Sequence, residues 1–436
     1  MTASTTPVDR PATPLRHRVR GHVLLLLCAL YAILYFDRVN ISTAGPNGLM
    51  TDLGISKVEF GLATTAFALP YALLQLGGGW LGDRLGPRKG LVIAAVVCGI
   101  FTVLTGLVNG LAALLAVRFV LGLAEGAAFP TSTRAMATWF PVDRRGFAQG
   151  VVHAASRVSN ALAPLIVTGL IALPHVGWRG SFVVAGIVGV AWGLIWLRYF
   201  RDRPKDHPGV GTDELRELSA DAKKADTGEP VPWRRLLRRI WPVTVTDFCY
   251  GWVLWVYLTW MPSYFTDEFG LSKGTAAVLT SVTLFGGALG DWAGGWLCDT
   301  LLRHTSNLGR SRRTGLVVGL GGSALCLLPV AFVHSLLFDT VCLTAAFLLL
   351  ELCNSPLWTI PMDITPEHSG TASGLMNTGF GVAGTIAPPV FGFVADQSGY
   401  GLALGVSGLL LLLGLVSVRW ISVAPLRHPE IADEPA

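Results

Sequence analysis

The chain has 436 residues, of which 52% are hydrophobic and only 14% charged, with a mean hydropathy of +0.54; a soluble domain carries about 25% charged residues. That balance excludes a soluble globular protein. The formal charge of +5 reflects membrane insertion and contact with anionic lipid heads, and it implies no nucleic-acid partner.

Residues 1–21 read as a cytoplasmic tail. Arg10, Arg16, Arg18 and Arg20 precede an apolar segment too long for the core of a leader peptide, so no cleavage is predicted. Six apolar segments follow, near 22–45, 58–82, 90–109, 112–138, 147–172 and 179–200. Each runs to about 20 to 26 residues, enough to cross roughly 30 Å of hydrocarbon. Residues 201–239, with "RDRPKDHPG" and "DAKKADTGEP", read as a cytoplasmic linker that is partly disordered. Its end, "PWRRLLRRIWP", predicts a helix lying along the headgroups, anchored by Trp233 and Trp241. Six more segments lie near 240–264, 275–301, 313–335, 338–362, 371–394 and 400–423, before a cytoplasmic tail at 424–436.

The expected fold is an all-α membrane protein with twelve transmembrane helices in two six-helix bundles, 22–200 and 240–423. With both termini inside, 26 of the 33 Lys and Arg fall on cytoplasmic segments. Three fall on external loops (Lys57, Arg179, Lys273) and four within the membrane (Arg38, Arg118, Arg134, Arg157). The bias predicts a multi-pass protein of the inner (plasma) membrane with cytoplasmic termini. The seven cysteines lie in or at the ends of spans without CxxC spacing, so neither disulfides nor a metal site is expected.

The two halves repeat one another. "GGWLGDRLG", with Asp83, returns as "GGWLCDTLL", with Asp299; "GFAQG" at 146–150 returns as "GTASG" at 370–374, and Ala163-Pro164 returns as Ala387-Pro388 in the same register. Parallel six-span repeats predict two bundles facing one another across a central cavity, the geometry of alternating access.

"GWLGDRLGPRKG" resembles the loop motif between the second and third spans of the major facilitator superfamily. "YFDRVN", "RFVLGLAEGAAFPTSTR" and "LWVYLTWMPSYF" resemble its anion:cation symporter family, which includes bacterial sugar-acid:proton symporters. The resemblance implies a functional monomer importing a small organic anion with protons. It implies proton-coupling roles for Asp37 and Glu125, tuned by Arg118, and an anion-receiving role for Arg38. It also places Asn377 where relatives contact substrate hydroxyls; by the internal repeat Asn377 corresponds to His153. Arg157 departs from the small or amide residue of sugar-acid carriers. It implies either a second acidic group on the ligand or another carboxylate to satisfy.

The residues support this independently. A charge in mid-membrane costs on the order of 3 kcal/mol, so it should face the cavity and have a partner. Asp37 and Arg38 project about 100° apart, so they should not pair with each other and should both reach groups on neighbouring spans. Arg118 and Glu125, seven apart, share a helix face. Burial opposes ionisation of a carboxyl and a nearby guanidinium favours it, so Glu125 and Asp37 are candidates to exchange protons. A protonated carboxyl releases its arginine to bind a substrate carboxylate.

Tyr71 and Gln75, one turn apart, offer a hydroxyl and an amide to a polyhydroxylated ligand, and His153 and Arg157, likewise one turn apart, are further candidates for binding substrate. Asp247, Asp291 and Glu351 are acids of the second half available as gate partners or alternative proton sites. Asp83, Arg84, Arg88 and Asp299 read as a cytoplasmic gate between the halves, with Asp83 near a helix N-terminus. No metal cluster, GxSxG or phosphate loop is present, so neither an enzyme nor a cofactor is expected. The leading expectation is proton symport of a sugar acid such as a hexonate, hexarate or hexuronate. Uptake of an aromatic or dicarboxylic acid, or a ligand sensor that does not transport, are the alternatives.

Overall fold

Apolar segments of about 20 residues or more leave the backbone one way to satisfy its own hydrogen bonds in lipid, the α-helix. The computed structural model describes residues 19–212, 214–215, 231–333 and 335–426. Most of the basic N-terminal tail, the "DAKKADTGEP" stretch and nearly all of the C-terminal tail lie outside the described residues. In the first half the helices are α1 (Val19–Ala44), α2 (Lys57–Leu85), α3 (Pro87–Thr105), α4 (Leu111–Trp139), α5 (Arg145–Ala172) and α6 (Gly177–Tyr199). In the second they are α7 (Trp233–Phe269), α8 (Lys273–Thr305), α9 (Leu308–Val330) and α10, which is in two pieces, Leu336–Glu351 and Asn354–Ile364. The last helical stretch, Ser369–Ser417, is broken at Gly399 (φ 84°), and we treat its parts as α11 (369–398) and α12 (400–417).

Among the described residues nine helices are both long and apolar enough to cross a membrane, the last of which contains the break at Gly399. With that stretch counted as two passes, and with α2 (29 residues) and α7 (37 residues) added, the passes number twelve. Large side chains such as Leu73, Leu165 and Phe332 are fully presented at the outer surface, as lipid contact requires and water would not favour.

Two features depart from expectation. "PWRRLLRRIWP" does not form a separate helix along the headgroups. It is the first part of α7, which continues through Pro242 and, at roughly 55 Å, is much longer than the hydrocarbon is thick. The start of the linker is packed against the first bundle: the Trp139 indole donates to the Arg201 carbonyl at 2.9 Å, and the Arg20 amide donates to Glu214 at 3.1 Å.

Close helix approach is bought with small residues. Gly122 and Gly126 of α4 sit against the α2 backbone at Phe67 and Tyr71; Gly290 and Gly294 of α8 sit against the α10 backbone at Leu348 and Leu352. The halves meet along two equivalent seams, α2 with α11 and α5 with α8. Gly79 faces the backbone of Gly370 in one seam, and Gly295 faces that of Gly146 in the other.

Candidate functional site

The charges of α1 diverge as the helix geometry predicts, and only Arg38 turns toward the rings that line the central cavity. Arg38 Nε lies 2.5 Å from Glu125 Oε1. Its guanidinium is held among the rings of Tyr71 (4.5 Å), Tyr35 (4.9 Å), Phe129 (5.3 Å) and Phe67 (5.6 Å). A cation desolvated among aromatic faces keeps part of its hydration energy through the ring quadrupoles.

Asp37 corrects the expectation that both charges face the cavity. It turns toward α3 and α6, where the Thr102 hydroxyl donates to its Oδ2 at 2.9 Å beside Leu34, Cys98 and Trp192. Roughly 100° of helix rotation separates adjacent side chains, so with Arg38 inward Asp37 must point into the bundle. Arg118 lies over Phe67 at 4.5 Å, with its Nε lacking a hydrogen-bond partner, and the charges of Glu125 and Asp37 reach it.

A central cavity lies between the halves. The first half contributes Tyr35, Tyr71, Phe129, His153 and Arg157; the second contributes Asp247, Tyr250, Asn354, Trp358, Asn377 and Phe380. Of the residues expected to bind substrate, Tyr71, His153, Arg157 and Asn377 line this cavity. Gln75 does not line this cavity. It is buried one turn away on α2, with neither amide atom hydrogen-bonded. About 20 Å³ of the cavity is free, room for about one water molecule, so its side chains leave no space for a substrate in this form.

Arg157 is not free for an anion in this conformation. Its Nη2 lies 3.0 Å from Glu351 Oε1 and its Nε 3.5 Å from Asp291 Oδ2, both on the second half. Tyr250 donates to Glu351 Oε2 at 2.7 Å, and the Asn354 amide donates to Asp291 Oδ1 at 2.8 Å. Of the two explanations for this extra cation, another carboxylate to satisfy is the one the geometry supplies, twice over.

Toward the Arg-rich end of the molecule, hereafter the basic end, the seams are closed by one contact made twice. Asp83 accepts from the amides of Gly370 (3.0 Å) and Thr371 (2.7 Å) and from the Thr371 hydroxyl (2.7 Å), at the start of α11. Asp299 accepts from the amides of Gly146 (3.1 Å) and Phe147 (2.6 Å), at the start of α5. Free amides and the helix dipole make a helix N-terminus a natural seat for a carboxylate.

Arg84 and Arg88 do not join these contacts, which corrects their place in the expected gate. Arg84 stacks on Trp80 at 4.4 Å. Arg88 donates to the Leu197 carbonyl at the end of α6 (2.8 Å), within its own half. The repeat explains this: Arg313 does the same to the Ile421 carbonyl after α12 (2.9 Å). These arginines close each bundle on itself by neutralising a helix C-terminus.

The cross-seam cations are others. Arg134 approaches Asp83 (3.8 Å) and donates to the Pro366 carbonyl. Arg312 bridges Asp299 (3.4 Å) and Asp363 (3.0 Å) within its half and donates across the seam to the Val142 carbonyl (3.1 Å), and Arg145 meets Asp363 from the first half (3.3 Å). Sequence reasoning missed Arg145, Arg312 and Asp363, although Arg312 stands where the first copy of the motif has Pro87. That asymmetry was the available signal.

A model of the Major Facilitator Superfamily matches residues 27–388 and 310–436. The chain is 42% identical over 428 residues to a probable sulfoacetate transporter, SauU, of Cupriavidus necator, covering 97% of each chain. It is 29% identical to a D-galactonate transporter of Escherichia coli O6:H1, covering 92% of this chain and 95% of that one. Among solved structures, its fold is similar to that of FucP in the outward conformation, with a TM-score of 0.71 at 17% identity, over 93% of this chain and 100% of that one.

Proposed function

Because the chain belongs to the major facilitator superfamily and its relatives carry small organic anions, we propose that it imports a compact organic acid with protons, by alternating access. It works as a monomer in the inner (plasma) membrane, with the basic end in the cytoplasm. The observation that carries this reading is the Arg38–Glu125 pair, 2.5 Å apart with Glu125 fully buried, behind the Tyr35, Tyr71 and Phe129 rings that line the cavity.

An anion arriving without a proton would have to take Arg38 from Glu125, leaving a carboxylate buried and unpaired. Breaking such a pair costs about 3–5 kcal/mol. With a proton on Glu125 the carboxyl no longer needs the guanidinium, which then presents its planar donors to a carboxylate or sulfonate. Proton and anion are thereby required to travel together. Arg118 and Asp37 set the field around Glu125 and keep the four-charge cluster neutral overall.

A compact acid, of the sulfonated or dicarboxylic kind, is favoured over a hexonate, hexarate or hexuronate on two grounds. The similarity is greater to the probable sulfoacetate carrier than to the galactonate carrier, and the lining is chiefly aromatic. The amides of Asn354 and Asn377 favour the sugar-acid reading.

In proteoliposomes, an inward proton gradient should drive uphill accumulation of labelled sulfoacetate, with D-galactonate a weaker competitor. Glu125→Gln should abolish accumulation while retaining exchange of substrate across the membrane. Full uphill transport by that variant would refute the coupling role.

A further inference from the structure

The two buried charge systems differ in one respect that bears on coupling. Arg38 and Glu125 both belong to the first half, so rocking of the bundles leaves their separation unchanged. Arg157 belongs to the first half, whereas Asp291 and Glu351 belong to the second, and all three are buried. Their ion pairs, at 3.5 Å and 3.0 Å, span the plane along which the halves part.

Asp291 is also part of the seam itself. A methyl group added at Gly150 of α5 would come within 2.5 Å of the Asp291 carbonyl oxygen, and Gly150 lies about two turns from Arg157 toward the basic end. Opening the basic end separates α5 from α8 at this point, and so draws Arg157 away from its carboxylates.

The charge balance then decides what must follow. With both acids ionised the trio carries a net charge of −1 even while paired. Once Arg157 withdraws, two neighbouring carboxylates are left without the cation they share, and their mutual repulsion favours taking up a proton. The surroundings do not compensate. From α7 come Tyr250, already donating to Glu351, and Asp247, a further acid whose Oδ2 has no hydrogen-bond partner. From α10 comes Asn354, already donating to Asp291, while the Cys353 thiol between its two pieces is directed to the Leu316 carbonyl of α9. From α1 comes only the ring of Tyr35, 5.8 Å from the Arg157 guanidinium. His153, one turn before Arg157 on α5, is buried with both ring nitrogens unpartnered, so no hydrogen bond from it reaches either acid.

We propose that Asp291 and Glu351, joined through Arg157, form a second proton-binding site, one whose loading is tied to movement of the bundles and separate from the substrate-linked site at Glu125. Protonation of this pair favours the form open at the basic end; loss of the proton restores Arg157 to both acids and the form described here. One substrate is then carried with more than one proton.

The proposal rests on the alternating-access part of the reading above, and its test needs no substrate, so it can fail while the transport reading stands. Spin labels at Asn109→Cys and Gln397→Cys, exposed positions on opposite halves at the end away from the basic one, report closure of that end. They are introduced after replacement of the seven native cysteines, with the protein in lipid nanodiscs. Lowering the pH from about 8 to about 5 should shorten the distance between the labels in the parent and in Glu125→Gln. The shift should be lost in Glu351→Gln and in Asp291→Asn, each of which leaves Arg157 one carboxylate and a neutral pair. The proposal is overturned if the parent shows no shift, if both single variants keep it, or if Glu125→Gln alone removes it.

Discussion

At the residue scale, what separates Asp37 from Arg38 is direction, because neighbours in a helix share a depth in the membrane but not a face. Thr102 gives Asp37 a hydroxyl donor at 2.9 Å, leaving Arg38 to Glu125 and to the Tyr35, Tyr71 and Phe129 rings that line the cavity. The aromatic ring around Arg38 accepts a cation of either kind, but only a guanidinium offers a planar fork to an acid group. Arg38→Lys should therefore keep the fold and lose affinity. Losing one charge-assisted hydrogen bond, about 1.5–3 kcal/mol, corresponds to roughly a 10- to 150-fold weaker Kd. Calorimetric titration of the purified variant with sulfoacetate measures this; an unchanged Kd would place the anion elsewhere. The presence of these charges was legible in the sequence because an ionisable group in an apolar run stands out. Their partners were not, since Thr102, Tyr250 and Asn354 are ordinary membrane-helix residues until folding sets them against an acid.

At the scale of elements, the two seams work as a pair because each joins a glycine contact to a carboxylate that caps the facing helix. Gly79 and Gly370 approach so closely that a methyl group at Gly79 would lie 2.2 Å from the Gly370 carbonyl oxygen. Gly79→Ala should therefore push α2 from α11 and favour opening at the basic end. Asp83→Asn should act in the same direction by removing the negative charge that faces the N-terminus of α11, an effect of about 0.3–1 kcal/mol. Both should increase labelling of a cysteine placed at Ala372, a buried position of that seam, by a thiol reagent applied from the basic side; unchanged labelling would show that the seam does not hold this form closed. Helix positions were readable from hydropathy to within a few residues, as at α1 and α4. The beginning of α7 was not, because arginines and Pro242 signal a boundary in sequence, whereas here the helix simply runs on beyond the lipid.

For the whole molecule, the internal repeat places the same contact at two sites, Asp83 with α11 and Asp299 with α5, and thereby gives the two seams related geometry. What the repeat leaves different is informative: His153 faces Asn377 across the relation, and Gln75 answers to Asp291. The charges specific to one half are those at which coupling is proposed. The excess of Lys and Arg at the basic end predicts that this end is cytoplasmic. A fluorescent protein fused after Ala436 should fluoresce and an alkaline phosphatase fused there should be inactive; the reverse pattern would invert the proposed direction of proton flow.

Composition, span length and the distribution of charge are sums over local sequence, and they were sufficient by themselves to determine a twelve-pass helical membrane protein with two related halves. Motif residues were sufficient to single out Arg38, Glu125 and Asp83. Which face each helix turns to its neighbours depends on packing between segments more than a hundred residues apart. Only the tertiary structure could decide that Asp37 leaves the cavity, that Arg84 and Arg88 stay in their own bundle, and that Arg157 is held by two acids across the line where the halves separate.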